Sequence, residues 1–239
     1  MNQGYEPDVA ARALLRRARD LDLLQDGDRH SSGCGVDDGD GDKEEDIHFD
    51  WVCLEGKRIP DQCCAEILEC LRNLQWPKKR GRKKLTSERY AVLWREKEKE
   101  EPRFGTLGKL VEKLMSSVDA DYDYTHVAVT KNFVNSPHCD VADTTFQYVC
   151  SFGDFALPGG QLAVVGPSDD EDVWCVNVVN TKNRIARVDG RYPHFVLPYD
   201  AAKGDRYSLV IFSVKESAAT PKAKTRCADV TSFEVPSAS

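Results

Sequence analysis

The chain has 239 residues and a formal net charge of −7, with 31% charged and 41% hydrophobic residues. This length allows one domain of about 150–200 residues with extensions, and the composition is that of a soluble protein with disordered parts. No apolar run approaches the roughly 20 residues that span a bilayer, and the N-terminus lacks an apolar signal core. We therefore expect an intracellular protein with no membrane partner.

Residues 1–46 differ in composition from the rest of the chain. Apolar residues at helical spacing over 9–24 predict one short helix. The glycine- and aspartate-rich stretch GCGVDDGDGD that follows is too polar to bury a core. We predict a disordered acidic tail over 1–46 and a folded domain over 47–214.

The first half of this domain, residues 60–118, has helical features after a first strand in HFDWVCL. Pro60 precedes an apolar stripe that predicts a helix through Leu74. Thr86 or Ser87 is a suitable cap for a second helix over 88–99, which has a charged far end. Apolar residues at helical spacing predict a third helix over 107–118.

From residue 122 onwards, short alternating apolar runs follow one another, with Gly, Pro, Asp or Asn between them. Many short strands of this kind predict a jelly roll over 122–214. The fold class expected is α+β: a double-stranded β-helix (jelly roll) with N-terminal helices packed on one face. Residues 215–239 are rich in Ser, Ala, Thr and Lys, so we predict a C-terminal tail there.

The stretch SPHCDVAD contains His138 and Asp140, and a second histidine, His194, stands in RYPHFVLP. Two imidazoles and one carboxylate on adjacent strands form the facial triad that holds iron(II) in non-haem oxygenases. Arg206, which follows in RYSLVIFS, has the planar fork that would anchor the far carboxylate of a 2-oxo acid. Each histidine alone is more often an ordinary loop histidine, but all four residues in this order favour the metal site.

Three runs carry a resemblance to a known family: KNFVNSPHCDVAD, SFGDFALPGGQLAVV and ARVDGRYPHFVLPYDAAKGDRYSLVIFS. They resemble the Fe(II)- and 2-oxoglutarate-dependent dioxygenases of the TET/JBP group, most closely the compact algal, fungal and protist members. These enzymes oxidise the methyl group of 5-methylcytosine or thymine in nucleic acid. The resemblance covers about residues 124–214.

The resemblance implies a role for each matching residue. His138, Asp140 and His194 would bind the iron. Arg206 and Ser208 would bind 2-oxoglutarate. Three further residues would contact the substrate or its surroundings: Asp143 at the edge of a flipped base, Phe212 stacked on that base, and Asn132 on the co-substrate or the base. Even steps between Arg206, Ser208 and Phe212 place them on one face of a strand, independently of the resemblance.

One departure keeps other substrates open. Base-reading members have a histidine eight residues after the arginine, and here that residue is Val214, which neither donates nor accepts a hydrogen bond. Thymine or another base therefore stays possible as the target. The same oxygenase could act on a protein side chain, RNA or a small molecule instead. A non-enzymatic nucleic-acid-binding module is a third interpretation, but it would not need all of the iron and co-substrate residues.

The resemblance also implies cofactors and partners. The cofactors expected are Fe(II), 2-oxoglutarate as co-substrate, and ascorbate. Dioxygen and DNA are the expected partners, with the target base flipped out because a methyl group inside a duplex cannot reach the iron. The sequence gives no indication of an oligomer.

The run KKRGRKK, residues 78–84, has six cations in seven positions. Lys79, Arg80 and Arg82 are expected to contact DNA phosphates, and the run also fits nuclear targeting, so a nuclear location is expected. A solvated linker is the alternative.

Overall fold

The computed structural model describes residues 48–77, 87–95, 104–133, 138–140, 143, 145–167 and 173–214. The predicted tails, 1–46 and 215–239, and the basic run 78–84 lie outside these residues. The domain bounds at either end therefore stay predictions. No helix in the described ranges is long and apolar enough to cross a membrane.

Two helices, ten strands and one short 3₁₀ turn make up the described part of the chain. The helices are α1 (Asp61–Arg72) and α2 (Gly105–Val118). The first five strands are β1 (His48–Glu55), β2 (Lys57–Arg58), β3 (Arg89–Trp94), β4 (His126–Lys131) and β5 (Gln147–Gly153). The last five are β6 (Leu162–Pro167), β7 (Val173–Asn180), β8 (Arg184–Val188), β9 (His194–Val196) and β10 (Arg206–Phe212). The 3₁₀ turn covers Ala201–Lys203.

The strands form two sheets. The smaller has the order β1-β7-β6-β9 and the larger has the order β2-β8-β5-β10-β4-β3. Of the strand pairs described, β1 with β7 is parallel and the others are antiparallel. A small sheet and a large sheet of mainly antiparallel strands confirm the predicted jelly roll.

Both helices pack on the outer face of the six-stranded sheet. Helix α1 buries one stripe of residues at helical spacing, Cys63, Cys64, Ile67 and Leu71, in a cluster shared with α2 and the sheet. Its ends suit the helix dipole, since Asp61 lies in the first turn and Arg72 in the last. The helices predicted from Pro60 through Leu74 and over 107–118, and their packing on one face of the sheet, are therefore confirmed.

The predicted second helix is wrong, because Arg89–Trp94 is strand β3. Ala91 and Leu93 are buried while Tyr90 and Val92 are only half-buried, which is the alternation of a strand. Strand β3 pairs with β4 along its whole length as the edge of the large sheet. This pairing overrides the local cap and charge signals that favoured a helix.

The central strand β10 divides the interior into two compartments. It pairs with β5 on one side and β4 on the other. Tyr207, Leu209 and Ile211 point to the cluster under the helices. The alternate residues, which include Arg206 and Ser208, point to the space between the two sheets. A second apolar cluster fills part of this space: Phe133, Val149, Leu162, Val164, Val179, Ala186, Val188 and Val196.

Candidate metal and co-substrate site

His138 and His194 lie side by side because their backbones pair. The His138 N–H donates to the His194 carbonyl at 3.1 Å, and the His194 N–H donates to the His138 carbonyl at 3.0 Å. Their ring centroids are 4.3 Å apart. Two histidines far apart in the sequence are thus fixed at one place by a short antiparallel bridge, at the start of β9.

Asp140 completes the group. Its backbone N–H donates to the Gly190 carbonyl at 2.8 Å, which holds the residue against the chain that precedes β9. One carboxylate oxygen lies 3.6 Å from His138 Nε2 and the other 3.5 Å from His194 Nε2. The three potential ligand atoms lie within 4.8 Å of one another. In the described residues this is the only group of three or more His, Cys, Asp or Glu side chains close enough to hold a metal ion.

The tautomer of His194 suits metal binding. Its Nδ1 lies 2.9 Å from the Tyr192 carbonyl oxygen, which can only accept, so Nδ1 carries the hydrogen. The Nε2 lone pair is then directed toward Asp140 and any ion beside it. The His194 side chain is 7% exposed and that of Asp140 is 34% exposed, so the group is closed on one side and open on the other. Two imidazoles and one carboxylate with an open side form the donor set that suits iron(II).

Gly190 lies between Gln147 and Asp140, an arrangement that the sequence did not reveal. A Cβ on this residue would stand 2.3 Å from Gln147 Nε2 and 3.1 Å from Asp140 Oδ2. The glycine therefore allows the Gln147 amide to lie close to the Asp140 carboxylate. Gln147 is 2% exposed. It belongs to no motif, and only the position of β5 beside this loop brings it to the site.

Arg206 is a buried cation with an open donor. The residue is 1% exposed, and its Nε donates to the Gly160 carbonyl at 2.9 Å. Burial lowers the pKa of Arg206 to about 10, so the guanidinium stays charged at neutral pH. Its Nη1 is buried and has no hydrogen-bond partner among the described residues. A buried charge is costly unless it is paired, and a carboxylate ligand would supply the missing partner.

Ser208 lies next to Arg206 on the same face of β10. Its Oγ shares a 2.6 Å hydrogen bond with Thr130 Oγ1 of β4. The opposite residue on β5 is Ser151, whose Oγ is 2.9 Å from Thr181 Oγ1. The hydroxyl groups of Ser208, Thr130 and Ser151 thus lie on neighbouring strands of the sheet beside the Arg206 guanidinium. Spacing predicted Ser208, whereas Thr130 and Ser151 could be found only from the register of the neighbouring strands.

Asp143 lies beside the candidate metal ligands. Its backbone N–H donates to the Asp140 carbonyl at 3.1 Å, and it pairs with Val214 in an antiparallel bridge. Burial, and secondly the charge of Asp140, raise the pKa of Asp143 to about 8. Its Oδ2 is buried without a partner in the described ranges. Asp143 and Val214, the two residues expected to bear on base recognition, are therefore neighbours.

Phe212 belongs to a row of three rings across β10, β4 and β3. It stacks on His126 with centroids 5.4 Å apart and an interplanar angle of 23°. Trp94 lies on the other side of His126, with the two ring centroids 4.7 Å apart, and is 44% exposed. The predicted stacking of Phe212 on a base stays a prediction.

Four predicted residues remain: Asn132, Lys79, Arg80 and Arg82. Asn132 is beside the Arg206 backbone, where its N–H donates to the Arg206 carbonyl at 2.7 Å. This contact places Asn132 at the Arg206 end of the candidate site. Lys79, Arg80 and Arg82 lie outside the described residues.

This chain is similar to known proteins only at the level of partial structural matches. No protein-family model matches it. No curated protein matches it either.

Several solved structures match about two thirds of this chain at low overall similarity. NgTET1 in complex with 5mC DNA has a TM-score of 0.39 and 17% identity, over 66% of this chain and 69% of that one. A prolyl hydroxylase from Trichoplax adhaerens, in complex with a hypoxia inducible factor peptide fragment, has a TM-score of 0.40 and 17% identity, over 65% and 79%. An oxidoreductase of the 2OG-Fe(II) oxygenase family from Burkholderia pseudomallei has a TM-score of 0.43 and 16% identity, over 65% and 79%. At these values the function has to be inferred from this chain's own residues.

Proposed function

We propose that the chain is an Fe(II)- and 2-oxoglutarate-dependent dioxygenase. The observation that carries this proposal is the convergence of His138, Asp140 and His194, whose potential ligand atoms lie within 4.8 Å of one another. The unpartnered Nη1 of buried Arg206 is a second, independent observation, because it fits an anionic ligand. The residues present thus fit both the metal and the co-substrate.

The chain's own groups would position the reactants. His138, Asp140 and His194 would hold the iron, and Arg206 with Ser208 would hold the distal carboxylate of 2-oxoglutarate. Iron(II) with bound 2-oxoglutarate supplies the dioxygen activation and C–H oxidation that side chains cannot supply. The Tyr192 carbonyl keeps His194 in the ligating tautomer.

The burial of Arg206 would strengthen its hydrogen bonds to the 2-oxoglutarate carboxylate. The Phe155 ring lies 5.6 Å from the Arg206 guanidinium carbon and shields it from water. A hydrogen bond between Arg206 and a carboxylate is stronger in such a place than in bulk solvent. On the opposite side of the site, Asp140 and His138 are half-exposed, and this open side would be left for the substrate.

For the substrate we propose a methyl-bearing pyrimidine base in DNA, such as 5-methylcytosine or thymine. Asp143 supports this proposal, since its buried Oδ2 would accept a hydrogen bond from the edge of a base or, when protonated, donate one. The aromatic row of Phe212, His126 and Trp94 gives a second reason. Stacking is worth about 1–3 kcal/mol per base and would partly offset the few kcal/mol that flipping costs.

A second candidate function is hydroxylation of a protein side chain, RNA or a small molecule by the same machinery. The observation that favours it is Val214, an apolar residue paired with Asp143 where a base-reading group would be useful.

The two candidates differ in their products. The protein is incubated with Fe(II), 2-oxoglutarate and either methylated DNA, unmodified DNA or RNA, followed by mass spectrometry of nucleosides and assay of succinate. We expect oxidised pyrimidines from DNA. Oxidised nucleosides from RNA alone, or succinate release with no oxidised nucleoside from any of the three, would reject the DNA substrate and favour the second candidate.

The basic run adds a proposal about DNA binding and nuclear location. Lys79, Arg80 and Arg82 would bind phosphates close to the site. Each phosphate that a cation neutralises releases counterions, so reversing these three charges should reduce the slope of log affinity against log salt concentration by about 0.9 for each such phosphate. An unchanged slope in a DNA-binding titration contradicts this proposal.

A further inference from the structure

Asn132 contacts both backbone groups of Arg206. Its N–H donates to the Arg206 carbonyl at 2.7 Å, and its side-chain Oδ1 accepts from the Arg206 N–H at 2.9 Å. Strand β4 ends at Lys131, opposite Tyr207, so Arg206 lies beyond the regular pairing on that side. Asn132 therefore takes the place of the next strand residue and keeps the first residue of β10 from fraying.

The orientation of the Asn132 amide is fixed by two carboxylates. Nδ2 donates to Glu88 Oε2 at 2.8 Å and to Asp205 Oδ1 at 2.9 Å. Carboxylate oxygens in their charged form only accept, so Nδ2 must face them and Oδ1 must face Arg206. Although burial works in the opposite direction, hydrogen bonds from Asn132 and Lys131 hold the pKa of Asp205 below its ordinary value. The Asp205 carboxylate thus stays ionised near neutral pH.

Lys131 joins the same two carboxylates from the other side. Its Nζ lies 3.2 Å from Glu88 Oε1 and 3.2 Å from Asp205 Oδ2. The start of β3, the end of β4 and the start of β10 are therefore tied together at this point. Asn132 is the member of the group that reaches the Arg206 backbone.

No donor of the Asn132 amide is left for a substrate. An amide nitrogen has two hydrogens, and here both are given to carboxylates. The oxygen accepts from Arg206 and, at 3.5 Å, from the Tyr199 hydroxyl. The backbone of Asn132 has a φ of 51°, which is a left-handed conformation that Asn tolerates better than most residues. These features argue for a role through Arg206 rather than through contact with a base.

We propose that Asn132 is a positioning residue that sets the place of the Arg206 guanidinium and thereby the affinity for 2-oxoglutarate. This inference rests on the proposed function, since Arg206 is taken as the carboxylate anchor. A small shift at the Arg206 backbone would move the guanidinium relative to the metal ligands. The bound co-substrate has to meet both at once.

The test is the Asn132→Gly variant, which permits the left-handed backbone and removes the amide. Proteins are loaded with Mn(II) without dioxygen, so no turnover occurs, and 2-oxoglutarate binding is measured by calorimetry. We expect about 10-fold weaker 2-oxoglutarate binding, the loss of about one hydrogen bond's net contribution. The dissociation constant of Mn(II) itself should not change, because the three candidate ligands do not contact Asn132 in the hydrogen bonds described.

Asn183→Gly is the matched control. Asn183 also has a left-handed backbone, with a φ of 55°, but it lies in the turn between β7 and β8. Its backbone groups bond to Ser151 and Ile59, and not to Arg206. This variant should bind 2-oxoglutarate like the unchanged protein, and thermal melts of both variants show whether each is folded.

A charge variant provides a second readout. Asn132→Asp keeps the acceptor for Arg206 but places a carboxylate against Glu88 and Asp205, so 2-oxoglutarate binding should weaken. Adding Glu88→Gln gives an amide that can donate to the new carboxylate, and part of the affinity should return. Thermal melts accompany both measurements, so that affinities are compared between folded proteins and a general loss of stability is recognised separately.

The outcomes separate the inference from the proposed function. If the unchanged protein fails to bind 2-oxoglutarate with Mn(II) present, both are overturned. If it binds and folded Asn132→Gly binds within about two-fold of it, only the inference is overturned. An unchanged affinity for 2-oxoglutarate with weaker binding of methylated DNA would instead make Asn132 a substrate contact.

Discussion

The two faces of β10 differ in chemistry although both are buried. Leu209 is 0% exposed and lies in the apolar cluster under the helices, while Arg206 is 1% exposed and lies between the sheets. Burial alone therefore does not distinguish a residue that stabilises the fold from a candidate for ligand binding. The distinction is that Leu209 is surrounded by apolar groups, whereas Arg206 has a donor without a partner among the described residues.

This difference implies that neighbouring residues on one strand should have separable effects. The outer face should mainly determine the free energy of unfolding, and the inner face should mainly determine ligand affinity. Because side chains alternate along a strand, a single residue step changes which property is affected.

The largest effect is expected when the candidate metal ligands are removed. His138→Ala combined with Asp140→Ala should abolish iron-dependent succinate release, because one imidazole cannot hold the ion alone. Circular dichroism should show that the variant stays folded. Asp154→Ala, which removes a carboxylate paired with Arg72, is the control and should keep its activity. Continued turnover in the double variant would reject the metal site.

On the outer face, Leu209→Ala should lower the free energy of unfolding by about 2–5 kcal/mol, because it leaves a cavity in a close-packed cluster. Urea denaturation measures this loss. The 2-oxoglutarate affinity of the folded variant should stay close to that of the unchanged protein. A large drop in affinity would show that the two faces are coupled.

On the inner face, Arg206→Lys should weaken 2-oxoglutarate binding by about 10- to 100-fold, since a charged hydrogen bond contributes about 1.5–3 kcal/mol. Lysine keeps the charge but loses the fork that reaches the Gly160 carbonyl and a carboxylate together. Calorimetry with Mn(II) measures the affinity, and metal binding should be unaffected. Equal affinity for 2-oxoglutarate would mean that its carboxylate binds elsewhere.

The smallest effect is expected at Ser208. Ser208→Ala should weaken 2-oxoglutarate binding by about 2- to 10-fold, consistent with a neutral hydrogen bond of about 0.5–1.5 kcal/mol. Thr130 would lose its buried partner, so a modest loss of stability should accompany the change. A change as large as that of Arg206→Lys would contradict the assisting role of Ser208.

Some of the candidate site residues could be proposed from the sequence because they stand close together in it. His138 and Asp140 are two residues apart, and Arg206 and Ser208 share a strand face through the same even step. Alternating apolar runs likewise predicted the strands from residue 122 onwards. These signals depend only on neighbouring residues, so they can be recognised before the fold is known.

The features that the sequence did not predict depend on pairs far apart in the chain. Asn132 bonds to Glu88 and Asp205, which are 44 and 73 positions away. The error at β3 has the same origin. A capping serine and a following Glu–Lys run favour a helix locally, but pairing with β4 decides the outcome.

The parallel pairing of β1 with β7 has a consequence for how the chain is made and truncated. Glu55 and Asn180, which meet at the end of this pair, are 125 positions apart. During synthesis most of the domain must therefore emerge before β1 can pair with β7. Until then β1 is unpaired and can misassemble. A shortened protein that begins after Glu55 would leave the outer edge of β7 open, and unpaired edges of this kind recruit other chains and promote aggregation.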